Sequence, residues 1–252
     1  MPTTDLILLI ILFFITSAVG VVTGSNSLIT VPVMFQFGIE PRVAVATNMF
    51  GLTFMAVGAT IPFLRQRAID VKRISPLIIL TIVGSAIGAS LVGFISDKTM
   101  PIIVSVSMVA VTIFTFIKRD AGVAKTENIS PNSKVIAYIL TFLLAIYGGL
   151  YSGGYVTMLT ACLVAFFGMT FTESVASTKL INVFSSLIAT IIFMWQGLVD
   201  YRLGLILGAT MFVAAYVGAY TVTRLNDVWL KRIFLITVLA LAIKTIYDFT
   251  LK

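Results

Sequence analysis

The sequence predicts an all-α, polytopic integral membrane protein with about eight full spans and two short or broken segments, up to ten in all, arranged as two internal repeats. Three observations predict this class. Of the 252 residues, 59% are hydrophobic and 11% are charged, against about a quarter charged in an ordinary soluble domain, and mean hydropathy is +1.10. Eight apolar runs reach or approach the ~20 residues that cross hydrocarbon as a helix. The two halves also resemble each other at a spacing near 130 residues.

Taken in order, the first run covers residues 6–22; no Lys or Arg precedes it, so it reads as a membrane helix rather than a cleaved signal peptide. The cluster Gly24-Ser25-Asn26-Ser27 then interrupts the apolar pattern ahead of a short run at 28–37, which contains Pro32. Full-length runs follow at 43–64, 74–95 and 101–117, the first two separated by "QRAID". A polar stretch, "KRDAGVAKTENISPNSK", divides the chain into a membrane repeat at 1–117, a cytoplasmic linker at 118–134 and a second membrane repeat at 135–252. The second repeat has runs at 135–151, 175–195, 203–222 and 229–247, and Ser152-Gly153-Gly154 precedes its own short run at 156–167.

The repeat is marked by "QRAID" returning as "QGLVD" at a shift of 130, by Gly20 and Gly149 at 129, Gly38 and Gly168 at 130, and "VATN" and "ASTK" at 131. The last register pairs Arg42 with Glu173 and Asn48 with Lys179. Repeats of this size belong to secondary transporters. If the short runs cross the bilayer, the halves are inverted and the loops hold eleven basic residues inside against four outside; if they are re-entrant, the count is ten against five. The positive-inside bias favours inversion.

Histidine is absent and Cys162 is the only cysteine, which removes disulfides, Cys/His metal sites and imidazole acid/base chemistry from the chain acting alone. No metal, no other cofactor and no nucleic-acid partner is expected; the net charge of +7 resides in loops, where topology places it. With no G-x-x-x-x-G-K-[ST] in the chain, nucleotide hydrolysis is not expected from it. Paired carboxylates at catalytic spacing are lacking as well, so the chain reads as a non-enzyme.

Non-helical backbone at membrane depth is tolerated only where it is buried in protein or lines a watery cavity. Gly24 to Ser27 and Ser152 to Gly154 therefore read as breaks that start half-helices, with Ser or Asn capping the free N–H groups. Two such N-termini facing each other near mid-membrane would cradle an anion. Lys179 lies inside an apolar span, where a charge costs ~2.5–3.5 kcal/mol on insertion scales and is a functional hypothesis by default. Thr47, Asn48, Ser177 and Thr178 add uncharged donors nearby, and such a set suits a small oxyanion. Glu173, near a span end, is either a solvated interfacial carboxylate or a proton carrier for coupling.

These residues resemble the sulfite exporter TauE/SafE-like transporters, also called toluene sulfonate uptake permeases. The likeness lies in the run from Gly20 through Pro32 to "AVATN" and in "GGLYSGG…ESVASTKLINVFSSL…GLVDYRLGL…VGAYTVTRL", and it covers nearly the whole chain in order. The resemblance implies a multi-pass permease of a prokaryotic inner membrane, a monomer or homodimer in the lipid bilayer, moving sulfite-like or organosulfonate anions by alternating access. It implies site roles for Gly24, Thr47, Gly153, Thr178 and Lys179; Asn26 and Asn48 join them on physical grounds. Where the family has a run of glycines, this chain has Ser25-Asn26-Ser27, which would alter the cavity. An anion channel and a membrane-embedded enzyme are the alternatives.

Overall fold

The computed structural model describes residues 3–24, 26–117, 131–222 and 224. Among the described residues the chain forms nine α-helices and no strand: α1 (Thr3–Thr23), α2 (Ser27–Gln36), α3 (Pro41–Arg65), α4 (Val71–Val92), α5 (Met100–Ile117), α6 (Pro131–Leu150), α7 (Tyr155–Phe167), α8 (Phe171–Trp195) and α9 (Tyr201–Val222). The chain is a polytopic membrane protein. Six helices, α1, α3, α4, α6, α8 and α9, are long and apolar enough to cross a bilayer, judged by length and composition. Eight such runs were expected. Of the other two, 101–117 is the 18-residue helix α5, which is not among the six, and 229–247 lies outside the described residues, as does most of the linker.

Local chemistry sets the helix boundaries. Pro41 opens α3 at its first turn, where the missing N–H has no intrahelical partner anyway and φ is already helical. Asp70 caps α4 by accepting from the Arg73 backbone N–H at 3.0 Å, and Asp200 accepts from the Leu203 N–H at 3.0 Å as α9 begins. The "QRAID" and "QGLVD" motifs are thus turns that end in a helix-capping Asp. A capping box opens α8: the Glu173 N–H donates to the Thr170 hydroxyl and the Thr170 N–H donates to the Glu173 carboxylate, so two otherwise orphaned donors are satisfied reciprocally.

Backbone conformation recurs at one spacing. Left-handed residues occur at Gly24 and Gly154, at Gly38 and Gly168, and at Arg67 and Gly197, three pairs each separated by 130 positions. Helices α3 and α8 both have 25 residues and start 130 apart, as do α4 and α9 with 22. The 131 register is therefore off by one. In the 130 register Asn48 corresponds to Thr178 and Lys179 to Met49. A hydrogen bond confirms this: Thr30 donates to Asn48 at 2.8 Å, and Thr160 and Thr178 are bonded at 3.3 Å.

Packing joins helices from opposite halves. Helix α3 lies along α9, α8 along α4, and α3 and α8 meet each other, while α4 also packs on α6 and α1 on α9. Glycines set the approach of α3 and α9: a Cβ at Gly51 would stand 2.6 Å from the Met211 sulfur, at Gly58 2.5 Å from the Phe212 carbonyl, and at Gly208 2.9 Å from the Phe54 ring. Because Thr47 meets Asp200, Phe50 meets Gly204 and Phe54 meets Gly208, these two helices run parallel. Helices α4 and α8 are parallel by the same test, with Ser85 at Ser185 and Ala89 and Ser90 at Gln196. So are α4 and α6, where Gly84 meets Ala145 and Gly88 meets Ile146 and Leu150. Apolar side chains left outside this packing, among them Ile7, Leu8, Ile11 and Ile15 on α1, are exposed, as lipid-facing positions must be.

Candidate functional site

The two helix breaks meet. Gly24, with φ of +67°, carries the chain from α1 toward α2, and a Cβ there would stand 2.8 Å from the Thr157 backbone nitrogen and 2.9 Å from the Val156 Cβ. Only glycine allows both the turn and the contact. Across it, the Thr157 hydroxyl donates to the Thr23 carbonyl at 2.6 Å, the Tyr151 hydroxyl to the Ser27 carbonyl at 2.9 Å, and the Ser27 and Ser152 hydroxyls bond each other at 2.8 Å. One break from each half thus forms a single hydrogen-bonded junction.

Beside this junction is a cavity of about 20 Å³, room for about one water. Its polar side is made by Asn26, Ser27, Ser152, Lys179 and Asn182, its apolar side by Leu52, Met55, Ala56 and Val156, with Gly20 and Gly24 between them. Lys179 is 3% exposed and its Nζ donates to the Gly20 carbonyl at 3.0 Å. The ion pairs among the described residues join Arg42 to Glu40 and to Asp97, so there Lys179 has no carboxylate partner. A buried lysine beside a polar cavity, balanced only by a carbonyl, is short of negative charge.

The start of α2 adds to this bias. Asn26 is its N-cap but has helical backbone angles and makes no side-chain cap, contrary to the expected Ser or Asn capping; Gly154, which has no side chain, caps α7. The partial positive end of α2 is therefore uncovered by side chains where Asn26 and Ser27 line the cavity. Asn26 turns inward instead: its Nδ2 makes two contacts of 3.5 Å, to the Ser17 hydroxyl and the Met55 sulfur, and its Oδ1 is buried with no partner.

Three of the anticipated site residues, Gly24, Asn26 and Lys179, line the cavity. Asn48 stands one bond behind it, its Nδ2 donating to the Ser27 hydroxyl at 2.9 Å while its Oδ1 accepts from Thr30. The remaining four are elsewhere. Thr47 accepts from the Asp200 N–H at 3.0 Å and ties α3 to the start of α9. Thr178 donates to the Val175 carbonyl at 2.9 Å. The Gly153 carbonyl accepts from the Tyr147 hydroxyl, and Glu173 is engaged in the cap of α8. Conversely, Asn182 and the Ser27–Ser152 pair were not anticipated as site residues. Asn182 had a signal: it follows Lys179 by three positions, which on a helix puts both side chains on one face.

At the start of α3, the Arg42 guanidinium grips Asp97 in the α4–α5 connection with two bonds of 2.7 and 2.9 Å. Hydrogen bonding to that guanidinium, reinforced by its charge, holds the Asp97 carboxyl below its ordinary range. Arg42 thus closes the end of α3 rather than facing the cavity. Among the described residues no group of three His, Cys, Asp or Glu is placed to hold a metal ion.

Several known proteins of similar sequence are named probable membrane transporters. A Sinorhizobium protein named probable membrane transporter protein ORF9 is 24% identical over 93% of this chain and 90% of its own. A Haemophilus influenzae protein named probable membrane transporter protein is 24% identical over 96% of this chain and 95% of its own. Probable membrane transporter protein YfcA of Escherichia coli K12 is 22% identical, covering 96% and 91%. No solved structure matches the chain. The sequence profile described as sulfite exporter TauE/SafE matches residues 9–245, which includes every helix that lines the cavity, and the chain belongs to that family of membrane proteins.

Proposed function

We propose that the chain is a secondary transporter for small anions, with sulfur-containing oxyanions and organosulfonates as the substrate class and the Lys179 cavity as the binding site. One observation carries this reading: a lysine buried within a membrane helix lines a cavity while its only hydrogen-bond partner there is the Gly20 carbonyl. The uncapped start of α2 and the amides of Asn26 and Asn182 add donors to the same space. A tetrahedral oxyanion uses several such donors at once.

The helix directions support alternating access. The five residues at 66–70, and again at 196–200, reach at most ~17 Å, too short to recross ~30 Å of hydrocarbon. So α3 and α4 cross in opposite senses, as do α8 and α9. Since α3 parallels α9 and α4 parallels α8, corresponding helices of the halves point in opposite directions, which supports an inverted repeat. Helices α6 and α8 both parallel α4, which supports α7 carrying the chain back across rather than re-entering, and by the repeat the same reading for α2. Inverted halves around a midplane site are the architecture of rocking transporters. A cavity with room for about one water is too small for an oxyanion, so binding must widen the junction, and a continuously open channel is disfavoured. On the family's account the membrane is a prokaryotic inner membrane.

The test is thermal-shift binding of sulfite, sulfate, thiosulfate, sulfoacetate and chloride to wild type and Lys179→Ala in low-salt detergent. A sulfur anion is expected to stabilise wild type in proportion to its saturation and to leave Lys179→Ala unmoved. Equal responses from both proteins would contradict the site.

A further inference from the structure

A second polar cluster lies within the helix bundle, and the anion site does not use it. Between α4, α6, α7 and α8 the hydroxyls of Thr81, Thr141 and Tyr155 are fully buried and have no hydrogen-bond partner. They are neighbours of a bonded pair: Ser85 and Ser185 stand 2.7 Å apart, and Ser85 donates to the Ala145 carbonyl at 3.2 Å. Thr81 is one turn before Ser85 on α4, and Thr141 is one turn before Ala145 on the parallel helix α6. The Tyr155 ring lies against Gly148, and its hydroxyl is close to Thr81 and Ser185.

Orphan hydroxyls are unusual here because the chain has a ready way to satisfy them. In apolar helices a threonine ordinarily donates to the carbonyl one turn back, as Thr60 does to Ala56, Thr160 to Val156 and Thr210 to Ile206 in this chain. Thr81 and Thr141 forgo that bond although fully buried, where an unmet polar group is costly. Their oxygens are held for something else.

We propose that Thr81, Ser85, Thr141, Tyr155, Ser185 and the Ala145 carbonyl form a binding site for a monovalent alkali cation, best fitted by Na⁺. The ligands are all oxygen, as hard cations require. None is a carboxylate, so the set is too weak for Ca²⁺ or Mg²⁺. An anion is disfavoured by the Ala145 carbonyl, which can only accept. Ser185 is six residues beyond Lys179 on α8, about 9 Å along the helix axis. An anion at Lys179 and a cation at this cluster therefore attract through a low-dielectric interior, which makes each favour the other's binding. Only this coupling rests on the proposed anion site; the cation site stands without it.

Thermal-shift titrations with NaCl, KCl and choline chloride at constant ionic strength, on wild type, Thr81→Val, Tyr155→Phe and Lys179→Ala, test the site. Na⁺ alone is expected to raise the unfolding midpoint of wild type, to do so at least as strongly in Lys179→Ala, where a repelling charge is gone, and to lose its effect in both Thr81→Val and Tyr155→Phe. Identical midpoints in Na⁺ and choline would show that the cluster holds only water and would overturn the proposal, as would an undiminished Na⁺ response in Thr81→Val. Should one cluster variant fail to fold, the other decides. Loss of the anion response in Lys179→Ala with the Na⁺ response intact separates the two sites.

Discussion

At the residue scale, Lys179 and Asn182 would divide the work of recognition in the proposed site. Lys179 supplies a cation where burial makes one expensive, and that expense is why it stood out in the sequence: no packing role accounts for a lysine in the middle of α8. Asn182 would supply a neutral donor one turn along the same face; its spacing from Lys179 was its mark in the sequence, a weak one, because a lone asparagine among Ser and Thr in a membrane helix resembles the helix-packing residues around it. Asn182→Leu, near in volume and without donors, is expected to weaken the stabilising anion about ten- to a hundredfold, the worth of one or two hydrogen bonds to a charged group, while keeping the fold. Unchanged anion affinity in a folded Asn182→Leu protein would remove Asn182 from the site. Gly24 was legible as a break and proves to be more: its Cβ-free face is also where Val156 and Thr157 of the other half approach. Thr47 and Thr178, named from the family resemblance, hold other partners in the structure: Thr47 accepts from the Asp200 N–H and Thr178 donates to the Val175 carbonyl, as hydroxyls in apolar helices often do.

At the element scale, the helices followed from apolar run length, and their ends from Gly, Pro and Asp at the expected offsets. The caps of the short helices did not, since an Asn before a helix is normally its cap and only tertiary packing decides that Asn26 faces Ser17 and Met55 instead. Glu173 shows the opposite case. Its sequence, Thr-x-x-Glu ahead of an apolar run, is a capping box, and the structure uses it as one. Since glutamine fills the same position in such boxes, Glu173→Gln is expected to leave both stability and the pH dependence of transport unchanged, whereas Thr170→Ala should cost about 0.5–2 kcal/mol of stability in denaturant unfolding. A flattened pH profile in Glu173→Gln would make that carboxylate the coupling group after all.

At the scale of the whole molecule, the repeat was visible in sequence but its consequence was not. Sequence similarity at a fixed shift says that two halves share a fold; which helix lies beside which depends on lateral packing between residues more than a hundred positions apart, such as Gly51 with Met211 and Ser85 with Ser185. That packing interleaves the halves, α3 with α9 and α4 with α8, and brings both breaks to one junction where Ser27 meets Ser152. On the proposed mechanism, opening the cavity to either side would part this junction, and the relative movement of the halves would expose a single site.

The most direct measurement is counterflow in proteoliposomes: vesicles loaded with an excess of the unlabelled anion that stabilises the protein, diluted into a trace of the labelled form, with wild type and Lys179→Ala compared. The account predicts transient accumulation of label above equilibrium in wild type, because each returning site carries an anion, and none in Lys179→Ala. Label that merely equilibrates in wild type would mean an open path without alternating access, and equal counterflow in both proteins would mean that the anion crosses somewhere other than the Lys179 cavity.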